Sequence, residues 1–414
     1  MKDQPRVGIF QANWPLQVHI INAIKVLLDR GYNVDVFISG VMQHVESLSN
    51  IMNVAGTNLR VFDLSEYDQK ASQNINSNEK QPGLQDTLIK KIRDYLHLND
   101  LVSLFSPVLF EQTRALMGKV VYKCLIGVEE YGLIWAGKIS QETKVPLVYW
   151  SLELYTNDYP LFQGSKRFKI RKRLEHRYHP IAQATIIQDP ERARVLLADN
   201  GVNQMKLLFV PVSLLGPPET RKADYLHRML HIPSGKKVIL AFGGVNSRRL
   251  IHELVACAQD FPEEWILVIH GPGDRDVNYL NELQLLNTQN RAMISTELVL
   301  PSDIGELVAS ADIGLAFYSN STMNEYLTGK SSEKMALYAR AGVPMVAFAY
   351  PSFQDVFKAY GCGRCVSDFQ ELQGQIREIF IDYPKYRDGA FRAYSEIYEF
   401  SKHFSQVVDW VDAL

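Results

Sequence analysis

Ser331, Lys334 and Tyr338 recur at spacings of three and four in the stretch NEYLTGKSSEKMALYARAGVPMVAFA, residues 324–349. On a helix, that spacing places all three on one stripe. Ser331 or Ser332 can cap the helix, because a hydroxyl there accepts from the first-turn amides. A capped N-terminus carries partial positive charge and unpaired N–H groups. A lysine one turn in adds a full charge, so a phosphate can sit there. An ordinary capped helix between two loops uses the same residues. Gly243 and Gly244, followed by Arg248 and Arg249, form a second set. Glycines at a strand end permit close backbone approach, and arginines opening the next helix can clamp phosphate oxygens. Glu129 and Glu153 each follow an apolar run. A carboxylate there can act as a general base or hydrogen-bond a polyhydroxylated substrate, and it can equally cap the following helix.

Alternating apolar runs and amphipathic stretches position these groups. In the first half, strands are expected at Arg6 to Gln11, Val34 to Ile38, Leu59 to Phe62, Tyr122 to Val128, Pro146 to Trp150, Thr185 to Gln188 and Leu207 to Val210. Helices are expected at Gln17 to Arg30, after the EEYG tetrad at 129–132 to about Thr143, and at Glu191 to Asp199. The tract from Ser65 to Gly83 reads as a flexible loop, with two helices after it to about Lys119. The run after Pro211, VSLLGPPETRKAD, is rich in breakers and fits an interdomain linker.

The second half alternates again. Strands are expected at Lys237 to Phe242, Trp265 to His270, an edge at Met293 to Leu300, Ile313 to Phe317 and Met345 to Ala349. Helices are expected to about Gln259, at Asn278 to Leu286, at Ile304 to Ser310 and to about Arg340. Gly342 and Pro344 end the last of these. A final helix is expected over Arg392 to Leu414.

Several function classes recede. A length of 414 residues points to two domains, and a formal charge of −2 argues against a general nucleic-acid binder. The loop after the first strand lacks the G-x-G-x-x-G fingerprint, so no nicotinamide or flavin cofactor is expected. Cys362 and Cys365 form a C-x-x-C in a glycine turn without a second metal-ligand pair, which favours a structural reading over redox or metal chemistry. The D-x-D string Asp274-Arg275-Asp276 follows a glycine turn and fits a solvated loop, so no metal site is expected. His19 can face the strand ends or serve structure. The start MKDQPRVGIF lacks a signal-peptide core and no run spans a bilayer, so a cytoplasmic protein is expected. The basic segment Lys166 to Arg177 can lie on an anionic membrane surface at the inner face. Its apolar side holds only Phe168, Ile170 and Leu174, which fits a solvated helix face.

The order FGG with basic residues behind it, IHGPG, ELVASADIGLAF and a helix leading to AGVPMV resembles the GT-B glycosyltransferases. The resemblance is to the large, mostly retaining family-4-like group that uses nucleotide-sugar donors. It implies an α/β protein of two Rossmann-like domains facing a central cleft. The implied limits are an acceptor domain at 1–212, a linker at 213–222, a donor domain at 223–391 and a C-terminal helix at 392–414 crossing back to the first domain. Gly243, Gly244, Arg248 or Arg249, and Lys334 would meet the donor diphosphate, with Ser331 and Tyr338 in support. Gly271 and the backbone of Val299 to Leu300 would face the base. Many members carry two glutamates eight apart, one on the donor sugar and one on the ribose. Glu325 and Glu333 have that spacing but lie about one helical turn early, relative to Gly342-Val343-Pro344. The expected positions hold Gly329 and Leu337. Another branch shows Lys-x-x-x-Tyr before the glycine, which Lys334 and Tyr338 fit. The implied activity is metal-independent transfer of a sugar, UDP-linked before GDP- or ADP-linked. Glu129, Glu153 and Glu325 are the candidate catalytic acids. The acceptor, whether glycan, lipid-linked sugar, protein or small metabolite, is left open. A 2-epimerase of the same architecture and a non-catalytic scaffold that partners another transferase are the alternatives.

Overall fold

A computed structural model describes residues 4–12, 17–40, 51–53, 55–68, 100–160, 163–246, 249–273 and 277–414. Arg248, the Asp274-Arg275-Asp276 string and the polar tract beyond position 68 lie outside the described residues. The chain forms two compact units, Met1–Val210 with Ser401–Leu414, and Pro211–Phe400.

The first unit is built on seven parallel strands: β1 (Arg6–Ala12), β2 (Asn33–Ser39), β3 (Leu59–Asp63), β4 (Tyr122–Val128), β5 (Leu147–Trp150), β6 (Ala184–Ile187) and β7 (Lys206–Phe209). Their order is β3-β2-β1-β4-β5-β6-β7, so the winding reverses between β1 and β4. Strands covered on both faces must be apolar on both, which is why these runs lack alternation. Phe10 stacks on Phe37 at 4.6 Å and meets the edge of Trp135 at 5.3 Å.

Helix α1 (Val18–Asp29) follows β1, and α2 (Glu129–Thr143) follows β4 without an intervening loop. The tetrad at 129–132 is therefore the first turn of α2 rather than a lead-in to it. Gly132 lets that turn approach the sheet, since a Cβ there would sit 2.3 Å from the Phe10 carbonyl oxygen.

The basic segment forms α3 (Lys166–Tyr178), capped by Ser165. It is not the solvated face expected. Lys172 is buried, bonded to Glu175 at 2.7 Å and Asp199 at 2.6 Å. Arg171 is also buried, against the rings of Tyr131, Tyr155 and Phe168. Arg173 makes two parallel bonds to Asp100. Buried cations need partners, and beyond Glu175 and Phe168 on the same helix these partners are distant in sequence. Lys166, Arg167, Lys169 and Arg177 stay exposed.

The second unit holds six parallel strands: β8 (Lys237–Phe242), β9 (Trp265–His270), β10 (Ala292–Ser295), β11 (Ile313–Leu315), β12 (Met345–Phe348) and β13 (Gly363–Val366). The order β10-β9-β8-β11-β12-β13 reverses between β8 and β11. Helix α4 (Ile251–Ala258) follows β8, and α5 (Glu333–Arg340) precedes β12. Strand β10 ends at Ser295, so the edge expected to reach Leu300 stops five residues short, and Leu300 is 64% exposed. The expected C-terminal helix is broken. A helix over Tyr383–Ala393 runs into a π-helical turn, Tyr394–Tyr398, and extended Glu399 separates this from α6 (Phe400–Asp412). The Tyr394 hydroxyl donates to the carbonyls of Gly216, at 2.7 Å, and Leu214, at 3.3 Å, which holds the turn in place. Beyond the break, α6 packs on the first unit. Phe404 lies 5.8 Å from Trp150, Gln406 bonds Phe209, and Asp412 accepts from Tyr32. Among the described residues no helix is long and apolar enough to cross a membrane.

Candidate functional site

The carboxyl ends of β8 and β9 meet in a backbone cradle. Gly243 adopts φ +132°, a conformation that side chains resist, and its N–H donates to the His270 carbonyl at 3.0 Å. A Cβ on Gly271 would lie 2.2 Å from the Gly243 carbonyl oxygen, so only glycine admits this approach. Val245 then donates to Pro272 at 2.9 Å, which closes the two turns against each other. Beneath them His270 stacks on Phe242 at 6.2 Å, and burial lowers its basicity.

Helix α5 points its N-terminus at the same place. Ser332, not Ser331, is the cap, and its hydroxyl accepts from Met335 at 3.2 Å. The Tyr318 hydroxyl bonds that cap at 2.6 Å, while Ser331 turns to Thr328 at 3.3 Å. The first amides of α5, on Glu333 and Lys334, have no intrahelical acceptor. The Lys334 ammonium lies over the Tyr318 ring, 4.6 Å from its centre, and a Cβ on Gly243 would be 3.6 Å from it. Burial, and then the Arg249 guanidinium, push Lys334 down to about 7. A cation so placed is stabilised by an anion. Gly243, Gly244, Arg249 and Lys334 all line one small cavity of about 20 Å³.

Tyr338 lies in the core below the cradle and does not reach its surface. Its hydroxyl donates to Leu240 at 2.9 Å and accepts from the Phe242 N–H at 3.0 Å. It therefore braces the end of β8. A Cβ on Gly314 would meet its ring at 2.5 Å, so a glycine in β11 makes the space. Arg249 precedes α4 rather than opening it. It is exposed, and Leu250 at φ +56° takes the N-cap position. Glu333 is exposed beside the cap. Glu325 is occupied locally, accepting from Ser319 at 2.5 Å and Ser321 at 2.9 Å.

The acids of the first unit form a separate group. Glu129 is buried at φ +55°, the left-handed region, and one carboxyl oxygen accepts from the Glu153 N–H at 2.9 Å. Its other oxygen has no hydrogen-bond partner among the described residues. Burial, then the Glu130 and Glu153 charges, raise its affinity for a proton well above the ordinary carboxyl range. Glu130 is also buried, 3.6 Å from Arg171, and burial lifts it to about 7. Glu129 and Glu153 are thus brought together. His19 is buried on α1, bonded to Gln17 at 2.5 Å, and burial lowers it to about 3, so its ring is neutral.

Two contributors escaped the sequence reading. Tyr318 underlies both Lys334 and the cap, and its place just after ADIGLAF, at a strand's carboxyl end, was the available signal. Glu130 was visible only as the neighbour of Glu129. Cys362 and Cys365 are unlinked thiols, pushed by burial up to about 12 and about 11.

No protein-family model matches the chain, and no curated protein matches it in sequence. Solved structures match along its whole length. HepE of Anabaena, determined with UDP and glucose, aligns at TM-score 0.66 and 15% identity over 100% of both chains. A sucrose-phosphate synthase from Thermosynechococcus elongatus aligns at 0.64 and 14%, covering 99% of each chain. WaaG, a glycosyltransferase involved in lipopolysaccharide biosynthesis, aligns at 0.61 and 11%, covering 97% of this chain and 99% of its own. At such identities the likeness is one of fold, and the chain has the GT-B fold.

Proposed function

We propose that this chain is a glycosyltransferase that moves a sugar from a nucleotide-sugar donor, UDP-linked before GDP- or ADP-linked, to an acceptor. The observation that carries the reading is Lys334 held over Gly243 at the N-terminus of α5, with Arg249 lining the same small cavity. When the bond between the anomeric carbon and the diphosphate oxygen breaks, negative charge grows on the departing diphosphate. Lys334, Arg249, the Gly244 backbone and the first-turn amides of α5 are arranged to receive it, which supplies electrostatic stabilisation without a metal. HepE was determined with UDP-glucose as well as with UDP, which favours the same donor here.

In this reading residues 1–212 carry the acceptor, 213–222 link the domains, 223–391 bind the donor, and 392–414 return to the first domain. Gly271 and Leu300 flank the base. Glu129 and Glu153, joined at the strand ends of the first unit, are the acids that meet the acceptor hydroxyl. Glu325 sets the loop before α5, with Ser331 and Glu333 beside the cap. The exposed cations of α3 supply peripheral contact with a membrane face, and the protein works in the cytoplasm.

A thermal-shift titration with UDP, GDP, ADP and their sugar conjugates tests the proposal, because a ligand of the native state raises stability by mass action. A dose-dependent rise with one nucleotide and its sugar conjugate is expected. No shift at millimolar concentration overturns it and favours a scaffold.

A further inference from the structure

The turn after β5 is held by a buried arginine that comes from the helix after β6. Strands β4, β5 and β6 lie side by side, so Glu129, the turn Ser151-Leu152-Glu153 and Gln188 share one edge of the first sheet. The helix after β6, Pro190–Asp199, is capped by Asp189. Its Arg192 is fully buried. The guanidinium donates through Nε to the Gln188 side chain at 2.6 Å and through Nη2 to the Leu152 carbonyl at 3.0 Å. A planar fork of donors fixes both acceptors at once.

Gln188 passes the constraint on, donating to the Ser151 carbonyl at 2.7 Å, and the Ser151 hydroxyl donates to the Glu153 carbonyl at 2.9 Å. Three successive carbonyls, 151 to 153, are thus held. The Glu153 N–H then points at Glu129, which accepts it at 2.9 Å. The left-handed backbone of Glu129 is costly for a residue with a side chain, and these contacts offset that cost. Facing Glu129 are Glu130 on α2, Tyr149 on β5, Glu153 and Tyr155 after β5, and Arg192. The Arg192 charge opposes the burial and the two carboxylates that raise the proton affinity of Glu129. Burial lowers Arg192 from its ordinary value, and Glu153, Asp189 and Glu129 offset this.

We propose that Arg192 is a positioning residue for the Glu129–Glu153 pair, clamping the turn after β5 so that the Glu153 amide meets the Glu129 carboxylate. That the pair serves an acceptor hydroxyl rests on the transferase reading, but the clamp does not. Hydrogen exchange on the full chain tests it, with residues 151–154 reading the turn and β1 reporting that the unit folds. Arg192→Met should speed exchange over 151–154 by about tenfold or more, through the lost hydrogen bonds, and leave β1 as in wild type. Arg192→Lys keeps a cation but not the fork, so it should speed the same segment severalfold.

Urea unfolding at pH 5 and pH 8 then separates positioning from core filling. Without Arg192 the proton on Glu129 is held more tightly, so its ionisation costs more stability as pH rises. Arg192→Met should therefore lower the unfolding midpoint further at pH 8 than at pH 5. Adding Glu129→Gln, which does not ionise, should remove that difference. Wild-type exchange over 151–154 in either variant overturns the proposal. A midpoint loss equal at both pH values, or a pH difference that survives Glu129→Gln, assigns Arg192 to the core alone and also overturns it. If Arg192→Met loses protection in β1 as well, Arg192→Lys decides: faster exchange confined to 151–154 upholds the clamp, and wild-type exchange refutes it. Failure of wild type to bind UDP-glucose strikes the transferase reading and leaves these outcomes standing.

Discussion

Both units place candidate site residues at the carboxyl ends of their sheets, yet they build them in opposite ways. In the first unit the carboxyl ends of β4 and β5 carry acids, and burial raises the proton affinity of Glu129. In the second, the ends of β8 and β9 carry almost no side chain, and the absence of a Cβ at Gly271 lets two backbones meet. One end raises the proton affinity of a desolvated carboxyl. The other exposes backbone and cations to an anion. The difference teaches that one architecture makes two kinds of strand end: side-chain burial tunes acidity in one, and side-chain absence lets backbones close on each other in the other.

The sharpest way to break the comparison is Gly271→Ala. With backbone 2.2 Å from the new methyl, the cradle must open. A stability loss of about 1–3 kcal/mol is expected in urea unfolding, together with loss of nucleotide binding in calorimetry. Next is pH. Lys334, at about 7 when empty, must be protonated to hold a diphosphate. UDP-glucose affinity should therefore be level below pH 7 and fall above it, by up to about tenfold per unit. Calorimetric titrations at stepped pH measure this.

Tyr338→Phe removes the hydroxyl that braces the end of β8 and leaves the Phe242 N–H unpaired. Roughly 1 kcal/mol of stability should go, read by urea unfolding, with a smaller loss of nucleotide affinity. The smallest effect belongs to the other unit. Glu129 has its folded-state pKa raised above the ordinary 4.5, so its neutral form contributes stability below that value, and the contribution is lost as pH rises through the folded pKa. Glu129→Gln keeps an acceptor for the Glu153 N–H and does not ionise. The variant should gain on the order of 1 kcal/mol over wild type at pH 8 and little at pH 5, seen by hydrogen exchange in β4.

Much of the fold was legible because buried parallel strands must be continuously apolar. Tyr122 to Val128, Lys237 to Phe242 and Trp265 to His270 were placed to the residue. The cradle glycines were legible as turns. That Gly271 must touch Gly243 was not, since the contact joins two strands 28 residues apart. Tyr338 shared a stripe with Lys334, but its burial depends on Gly314 in another strand. The basic helix misled because the partners of Arg171 and Lys172, Glu130 and Asp199, lie far along the chain. The break at Glu399 has neither proline nor glycine to announce it, and carbonyls at 214 and 216 hold the turn before it.

The central claim is that Lys334 holds a donor diphosphate, and titrating UDP-glucose into wild type and Lys334→Ala at pH 6.5, about half a unit below the value for Lys334, tests it most directly. Loss of one charge-assisted contact should weaken binding by roughly 10- to 100-fold, with the unfolding midpoint of the free protein unchanged. Equal affinity in the two proteins, or no binding in either, would contradict the account.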